Sequence, residues 1–423
     1  MNLPEFPTSD RQREIYLNGF AGIRSQVPID WYRLEEKAKQ KMRSEAFAYI
    51  AGGAGLESTI MTNRSSFENH KIVPRMLRDV SRKSTSIELF GQKIPSPILL
   101  SPVGVLEMVH PEADLAVGRA AATLGVPYIF SNQASKPMEE VAAAMGNSPR
   151  WFQLYWSKSN DLVASFVSRA EQCGCSAIVI TLDTTLLGWR TRDLDIAYLP
   201  FLEGKGIAQY TSDPVFQKLM DEPSEVAPPG KVTMESLAGL IKMVKAYPGN
   251  GFINKLRSGR PVKAVRKFTS IYSNPALTWN DLAFLRSRTK LPILLKGILH
   301  PADARLAIEH GINGIIVSNH GGRQVDGSIS TLDALPAIVN ETHGNIPVLI
   351  DGGIRGGADI FKALALGAKA VCIGRPYVYG LTIGGKEGVI DVLKNLMADF
   401  ELTMGLAGCA SIAEIKPESL MRS

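Results

Sequence analysis

The sequence predicts an α/β fold, a closed (β/α)8 TIM barrel, and two observations lead to this fold class. Short apolar runs recur along the 423 residues, and each is followed by a pattern of helical period. Strands that are apolar on both faces and alternate with helices form a parallel sheet covered by helices. There are eight such runs, which favours a barrel, although a doubly wound open sheet could also hold them. The runs span residues 97–102, 126–131, 151–155, 177–183, 291–297, 314–319, 346–353 and 370–375.

The residues ahead of the barrel predict an arm and then one helix. Residues 1–30 are polar and mixed in character, and we expect an N-terminal arm there. Apolar residues at helical spacing then predict a single helix over 31–50, with Leu34, Ala38, Met42 and Ala46 on one face. This helix should end at the glycine-rich stretch 51–55, because glycine cannot sustain it. We therefore expect one barrel domain over 31–414 and a C-terminal tail over 415–423.

The alternation of strands and helices is interrupted once, after the fourth strand. The connection between residues 183 and 291 is far longer than an ordinary βα loop, and we place the insertion at about 203–278. It contains the turn-forming residues Pro228, Pro229 and Gly230, and it leaves from the active-site end of its strand. We expect it to be a lid. The alternative is a disordered surface insertion.

Composition and charge are typical of an ordinary soluble protein and argue against several classes. Hydrophobic residues make up 45% and charged residues 21% of the chain, and the formal net charge of +6 is spread along it. We expect no nucleic-acid partner, because basic residues do not cluster with aromatics, and no membrane span, because no apolar run reaches ~18 residues. The N-terminus has no apolar signal region, and the four cysteines suit a reducing compartment, so we expect a cytoplasmic protein. The six histidines are scattered, so we expect no metal site.

Polar or glycine residues end every predicted strand, and the C-terminal strand ends of such barrels form the active-site mouth. After the seventh strand a glycine-rich turn opens a helix, so backbone N–H groups and the helix N-terminus could bind an anion. A glycine and an arginine follow the eighth strand, and loops seven and eight commonly form a phosphate site. The alternative is that the glycines only make tight turns. The residues at these two strand ends are Asp351, Gly352, Gly353, Arg355, Gly374 and Arg375.

The loop after the sixth strand predicts acid–base chemistry. His320 can accept a proton near neutral pH, and Arg323 can bind a carboxylate with two parallel hydrogen bonds. At the fourth strand end, Asp183 could orient the histidine or cap a helix, and Arg190 could bind the anion or be an exposed arginine. Lys296 at the fifth strand end should point its ammonium at a negative group. An ion pair and a Schiff base are the alternatives for this lysine.

Taken together, these motifs resemble those of the FMN-dependent 2-hydroxy acid oxidases and dehydrogenases, from about residue 31 to 414. The most specific motif is SNHGGRQVDG at 318–327. It is supported by FQLY at 152–155, TLDT at 181–184, LLKG at 294–297 and DGGIRGGAD at 351–359. The resemblance implies an FMN cofactor and oxidation of a small (S)-2-hydroxy acid to the 2-oxo acid. It also implies O2 as the electron acceptor and a homotetramer.

The resemblance further implies roles for individual residues. His320 matches the catalytic base, Asp183 the aspartate that supports it, and Tyr155 a substrate-side catalytic tyrosine. The substrate-binding positions are matched by Tyr49, Tyr155, Arg190 and Arg323. The positions beside the flavin ring are matched by Pro102, Val103, Gly104, Ser131, Gln153, Thr181, Lys296 and Ser318. The phosphate would lie against Gly353, Arg355, Gly374 and Arg375, next to Asp351 and Gly352.

Within the family, the motifs are most similar to those of the lactate 2-monooxygenase subgroup. SPVGVL at 101–106 places Gly104 where glycolate oxidases carry alanine, and Gln133 replaces their tryptophan, so the substrate cannot be inferred from them. Three hypotheses stay open. The chain could use O2 as an oxidase, or as a monooxygenase that decarboxylates the retained oxo acid. It could instead pass electrons to a quinone or protein acceptor, or it could bind a phosphorylated metabolite without redox chemistry.

Overall fold

A closed barrel of eight parallel strands forms the centre of the computed structural model, which describes residues 8–222 and 233–422. The strands follow one another around the barrel in chain order, and the eighth pairs with the first. They are β1 (Ile98–Leu100), β2 (Tyr128–Phe130), β3 (Arg150–Leu154), β4 (Ile178–Thr181), β5 (Ile293–Ile298), β6 (Gly314–Val317), β7 (Val348–Asp351) and β8 (Ala370–Ile373). The predicted (β/α)8 barrel and all eight of its strands are confirmed, and most strands are shorter than their apolar runs.

The barrel interior is filled by an apolar cluster with at least one residue from each strand. These residues include Leu99, Ile129, Trp151, Val179, Leu294, Ile316, Leu349 and Cys372. A hairpin of Ile87–Leu89 with Gln92–Ile94 joins the cluster, and its Phe90 packs on Trp151 near the start of β3. The hairpin therefore closes the N-terminal end of the barrel. The C-terminal end, where the polar residues lie, stays open.

Helices cover the outside of the barrel, and further helices precede its first strand and follow its last. They are α1 (Thr8–Phe20), α2 (Trp31–Lys41), α3 (Ser44–Ala51), α4 (Ser58–Glu68), α5 (Ala113–Leu124), α6 (Met138–Met145), α7 (Asn160–Gln172), α8 (Thr191–Asp195), α9 (Ala208–Thr211), α10 (Pro214–Leu219), α11 (Met234–Ala246), α12 (Phe252–Ser258), α13 (Arg260–Ile271), α14 (Leu282–Arg286), α15 (Pro301–Glu309), α16 (Thr331–Thr342), α17 (Gly357–Ala365) and α18 (Arg375–Leu406). Gly384 and Gly385 interrupt α18 with non-helical backbone angles. None of the helices in the described ranges is long and apolar enough to cross a membrane.

The single helix predicted over 31–50 is two helices. Met42 and Arg43 both have extended backbone angles, which end α2 and start α3. Leu34 and Ala38 on α2, and Ala46 on α3, are buried as their spacing predicts. The apolar period continues across the break, so spacing alone could not reveal it. The break allows α3 to carry Tyr49 to the barrel mouth.

The chain ends are also structured where they are described. Residues 1–7 lie outside the described residues, but 8–20 form α1, which is fixed to α18 by hydrogen bonds from Arg11 to Asp391 and Asn395, each of 2.9 Å. Near the other end, Leu420–Arg422 pairs antiparallel with His70–Ile72. The segments that the sequence predicts as arm and tail thus both contact the barrel domain.

The insertion after β4 is folded against the barrel. It contains helices α9 to α13, while the segment with Pro228, Pro229 and Gly230 lies outside the described residues. Tyr210 is fully buried and makes edge-to-face ring contacts with Phe216 and Phe268, at centroid distances of 5.4 and 4.8 Å. These contacts belong to the hydrophobic core. The alternative of a disordered surface insertion is therefore wrong for the described part.

Candidate active site

The C-terminal ends of all eight strands surround one pocket, which α3 and the insertion complete. The predicted site residues that line it are Tyr49, Pro102, Val103, Gly104, Tyr155, Arg190, Lys296, His320, Arg323, Asp351, Gly352, Gly353, Arg355, Gly374 and Arg375. The other predicted residues, Ser131, Gln153, Thr181, Asp183 and Ser318, lie directly behind this lining and support it. The structure thus brings every predicted site residue to the same end of the barrel.

His320 is fixed in a conformation that presents one ring nitrogen to the pocket. Its φ angle is +58°, a left-handed value that is uncommon outside glycine, and its N–H donates to Ser318 Oγ at 3.0 Å. His320 Nδ1 lies 2.7 Å from Asp183 Oδ1, which also accepts a 2.8 Å hydrogen bond from Thr184 Oγ1. This arrangement favours the tautomer with the proton on Nδ1, which leaves Nε2 as an acceptor. Burial lowers the pKa of His320, and the Asp183 carboxylate opposes that shift.

A buried ion cluster lies beside this pair. Lys296 Nζ is 3.1 Å from Asp351 Oδ2 and 4.0 Å from Asp183 Oδ2, and it donates to Ser318 Oγ at 2.7 Å. Burial alone would lower the pKa of Lys296, but the charges of Asp351 and Asp183 raise it above its usual value. The ammonium therefore stays charged. For Asp183, the positive charges of His320 and Lys296 outweigh burial and lower the pKa of its carboxyl.

Two arginines and a tyrosine form a cationic wall in the same pocket as His320. The guanidinium carbon of Arg323 lies 4.9 Å, and that of Arg190 lies 5.9 Å, from the centre of the Tyr49 ring. Arg323 also donates to the backbone carbonyls of Tyr49 and Gly52, which fixes its direction. Burial lowers the pKa of Arg323, and the charges of Arg190 and Arg375 lower it further. An anion bound here would relieve this repulsion and stabilise all the cations.

The side chain of Gln324 connects the two loops that carry these groups. Its Oε1 accepts hydrogen bonds from Gly188 N at 3.3 Å and Arg190 Nη2 at 3.2 Å. Its Nε2 donates to Asp183 O at 2.6 Å and Leu186 O at 2.8 Å. Sequence reasoning gave this residue no role, although it lies within the SNHGGRQVDG motif, since a glutamine has no chemical signature of its own. Only the spatial meeting of the loops after β4 and β6 reveals its role.

The helix N-terminus after β7 is not available for an anion in the way the sequence predicted. Asp359 Oδ2 accepts hydrogen bonds from the N–H groups of Arg355 and Gly356, at 2.8 and 3.2 Å, and Asp399 accepts one from Gly357. Carboxylates of the protein therefore already satisfy the first amides of α17. Any phosphate must instead use the turn before them and the two arginines. The turn itself has positive φ angles, +93° at Gly352 and +77° at Gly353, which favour glycine.

The strand ends fit a ring that both donates and accepts hydrogen bonds, as the flavin of FMN does. Ser101 Oγ, Gln153 Nε2 and Thr181 Oγ1 are buried, and none has a hydrogen-bond partner within the described part of the chain. Unpaired buried polar atoms are costly and mark places where a ligand is expected. The ammonium of Lys296 adds a positive charge at the same end of the barrel. The residues present therefore fit FMN, and Arg355 and Arg375, which line the same pocket, would be the residues to hold its phosphate.

Two features of the pocket could not be predicted from the sequence motifs. A Cβ at Gly104 would lie 2.9 Å from Gln133 O, so the glycine allows the two loops to approach each other rather than widening the pocket. The far wall is apolar and comes mainly from the insertion, with Leu199, Phe201 and Phe268 as its largest apolar members and Thr269 and Tyr272 beside them. No motif marked these wall residues, because they belong to the part of the chain with no strand rhythm.

Known proteins resemble this chain along nearly its whole length. The sequence model of the family described as FMN-dependent dehydrogenase matches residues 38–422. An L-lactate oxidase of Lysinibacillus sphaericus is 43% identical over 94% of this chain and 93% of its own length. A glycolate oxidase of Spinacia oleracea is 39% identical, over 90% of this chain and 92% of its own. A mandelate oxidase structure with (S)-4-hydroxymandelic acid superposes with a TM-score of 0.76 at 35% identity, covering 93% of this chain and 98% of that one.

Proposed function

The chain belongs to the FMN-dependent dehydrogenase family, and its relatives include an L-lactate oxidase and a glycolate oxidase. On this premise we propose its substrate and its electron acceptor. The substrate is a small (S)-2-hydroxy acid with an apolar side chain, the product is the 2-oxo acid, and the acceptor is O2. The observation that carries this proposal is the His320–Asp183 pair, held beside the cationic wall of Arg323 and Arg190.

The cationic wall supports binding of the substrate carboxylate. Arg323 offers a planar guanidinium whose direction is set by two backbone carbonyls, and Arg190 adds a second positive charge. The Tyr49 ring lies against both guanidiniums. A carboxylate fixed here places the C2 hydroxyl of the substrate towards His320. Because burial raises the pKa of Tyr155, its phenol stays protonated and can donate a hydrogen bond to the substrate.

His320 acts as the base for the hydroxyl proton. Its Nε2 accepts the proton, and the resulting positive charge is stabilised by Asp183 at 2.7 Å from Nδ1. FMN, when bound, would supply the oxidant: the C2 hydrogen would leave together with the two electrons, as a hydride equivalent, as the C–O bond becomes a carbonyl, and the electrons would then pass to O2. Lys296 keeps a positive charge at the strand-end level where the flavin ring would lie. The hydroxyl proton is thus taken up by His320, while the C2 hydrogen and both electrons are left for the cofactor to accept.

The wall opposite the cations supports an apolar substrate side chain. Phe201 and Phe268 are buried, and the rings face the pocket together with Leu199 and Tyr272. Burial of each methylene of a substrate against such a wall stabilises binding by about 0.8 kcal/mol. We therefore expect higher catalytic efficiency with lactate and longer aliphatic or aromatic 2-hydroxy acids than with glycolate.

The acceptor proposal rests on the relatives that are named as oxidases. The test is simultaneous measurement of O2 consumption, 2-oxo acid and H2O2 with lactate as substrate. We expect equal amounts of all three. Acetate and CO2 in place of pyruvate and H2O2 would instead establish the monooxygenase reaction that the Gly104 motif indicates. Turnover with a quinone and none with O2 would overturn the proposal. A cytoplasmic location stays a prediction from the sequence, and a homotetramer stays a prediction from the family resemblance.

A further inference from the structure

The two arginines at the phosphate end of the pocket are held in different ways. Arg375 donates hydrogen bonds of 3.0 Å to the carbonyls of Ile50, Gly52 and Gly321, so most of its guanidinium edge is already occupied. Arg355 donates to Ile354 O at 2.8 Å, and its guanidinium carbon lies 3.8 Å from the centre of the Trp31 ring. Arg355 is therefore the arginine with N–H groups available for a phosphate, and an indole ring supports it.

The stacking geometry suits a phosphate ligand. A cation over an aromatic face uses the face of the guanidinium, which leaves the N–H groups in its plane free for oxygen acceptors. Burial lowers the pKa of Arg355, and the charge of Arg375 lowers it further. A phosphate dianion between the two arginines would remove this repulsion, which uncharged ligands cannot do.

Trp31 is itself fixed from two sides. It is the first residue of α2, whose N-cap Asp30 accepts a 2.8 Å hydrogen bond from Arg33 N. Its ring packs on Tyr379 of α18 at a centroid distance of 5.4 Å, and the Tyr379 hydroxyl donates to Glu35 Oε1 at 3.2 Å. The ring therefore keeps its position whether or not Arg355 is engaged. Trp31 also precedes residues 38–422, which the family model matches.

We propose that Trp31 is a positioning residue for the cofactor: it holds Arg355 towards the phosphate of FMN and so gives this chain part of its preference for FMN over riboflavin. This inference rests on the proposed FMN site. It assigns a cofactor role to the first residue of the helix ahead of the barrel strands, for which the sequence predicted no role.

The test compares two flavins that differ only in the phosphate. The full-length protein, freed of flavin, is titrated with FMN and with riboflavin, and binding is followed by quenching of flavin fluorescence. Trp31→Leu should weaken FMN binding by about 2- to 30-fold, the range that a cation–π contact of about 0.5–2 kcal/mol corresponds to, and leave riboflavin binding unchanged. Trp31→Phe, which keeps an aromatic face, should retain most of the FMN affinity.

The controls separate positioning from general destabilisation. Trp279→Leu removes a tryptophan of similar partial burial, stacked on His310 outside the pocket, and should change neither affinity. In an Arg355→Met background, Trp31→Leu should have no further effect on FMN. Equal losses for both flavins, or no loss for FMN, would overturn the role of Trp31. If Arg355→Met loses the preference for FMN and Trp31→Leu keeps it, the role of Trp31 fails but the proposed phosphate site stands. A wild-type protein that binds neither flavin would contradict the proposed function as well.

Discussion

Replacing Asp183 by Asn tests the base assignment most sharply, because the change is nearly isosteric and removes one charge. Asp183 Oδ1 lies 2.7 Å from His320 Nδ1, and Oδ2 lies 4.0 Å from Lys296 Nζ. An opposite charge at this range typically shifts a pKa by about 1–3 units, and each unit corresponds to about 1.4 kcal/mol. Without the carboxylate, burial and Lys296 still lower the pKa of His320, and nothing comparable opposes them.

The sign of the pH effect follows from the role of a base. The neutral form of His320 is active, so the wild-type rate falls as pH decreases through its pKa. In Asp183→Asn this decrease should occur about 1–3 pH units lower. The maximal rate should drop by about 10²- to 10⁴-fold, because the amide no longer enforces the Nδ1–H tautomer or stabilises the protonated ring.

The assay is the anaerobic rate of flavin reduction by substrate, measured across the acid and neutral range. Thr184→Val is the matched control, since it removes a 2.8 Å hydrogen bond to Asp183 and keeps the charge. We expect a smaller change in rate and little displacement of the acid limb for this control. If the acid limb of Asp183→Asn stays in place or moves to higher pH, Asp183 does not support His320 electrostatically.

Three further substitutions extend the tests. Arg323→Lys should raise KM and lower kcat/KM, because lysine keeps the charge but loses the planar fork; unchanged binding of oxalate would place the carboxylate elsewhere. Lys296→Met leaves two buried carboxylates without their cation, and it should reduce the free energy of unfolding in urea by about 3–5 kcal/mol, with partial recovery when Asp351→Asn is added. Burial raises the pKa of Asp114 from 3.8 to about 6, so its ionisation destabilises the folded state as pH rises through that window. Asp114→Asn should therefore match the wild type below pH ~4 and exceed it above pH ~6 by on the order of 3 kcal/mol; equal unfolding midpoints at pH ~8 would contradict this.

Much of the fold was predictable because it depends on local patterns. Each barrel strand is buried on both faces, so its sequence is a short apolar run, and the polar residue that ends it marks the mouth. His320 and Asp183 each follow such a run, which is why the sequence predicts both at the mouth, while it left open whether Asp183 orients the histidine or caps a helix. The sequence therefore predicts the location of a site residue best when that residue directly follows a barrel strand.

The remaining features depend on contacts between distant segments. The apolar period of 31–50 continues through the break at Met42, so the spacing does not show it. Asp359 is a local acceptor at the start of α17, but nothing near Gly357 shows that Asp399 of α18 accepts its N–H. The long connection after β4 supplies the apolar wall through Phe201, just ahead of the insertion, and Phe268 within it, and both are buried in the core. The sequence alone predicted that the insertion is a lid. Because the insertion is part of the core, shortening it should unfold the domain and would not test that prediction.

The most direct test of the central claim is anaerobic mixing of the purified protein with each enantiomer of lactate and mandelate, followed by the flavin absorbance band. We expect the wild type to lose this band with the (S)-enantiomers and to keep it with the (R)-enantiomers. His320→Ala should bind FMN normally but bleach about 10²- to 10⁴-fold more slowly. A wild-type protein that binds FMN and is not bleached by any 2-hydroxy acid would contradict the claim, and bleaching of His320→Ala at the wild-type rate would remove His320 as the base.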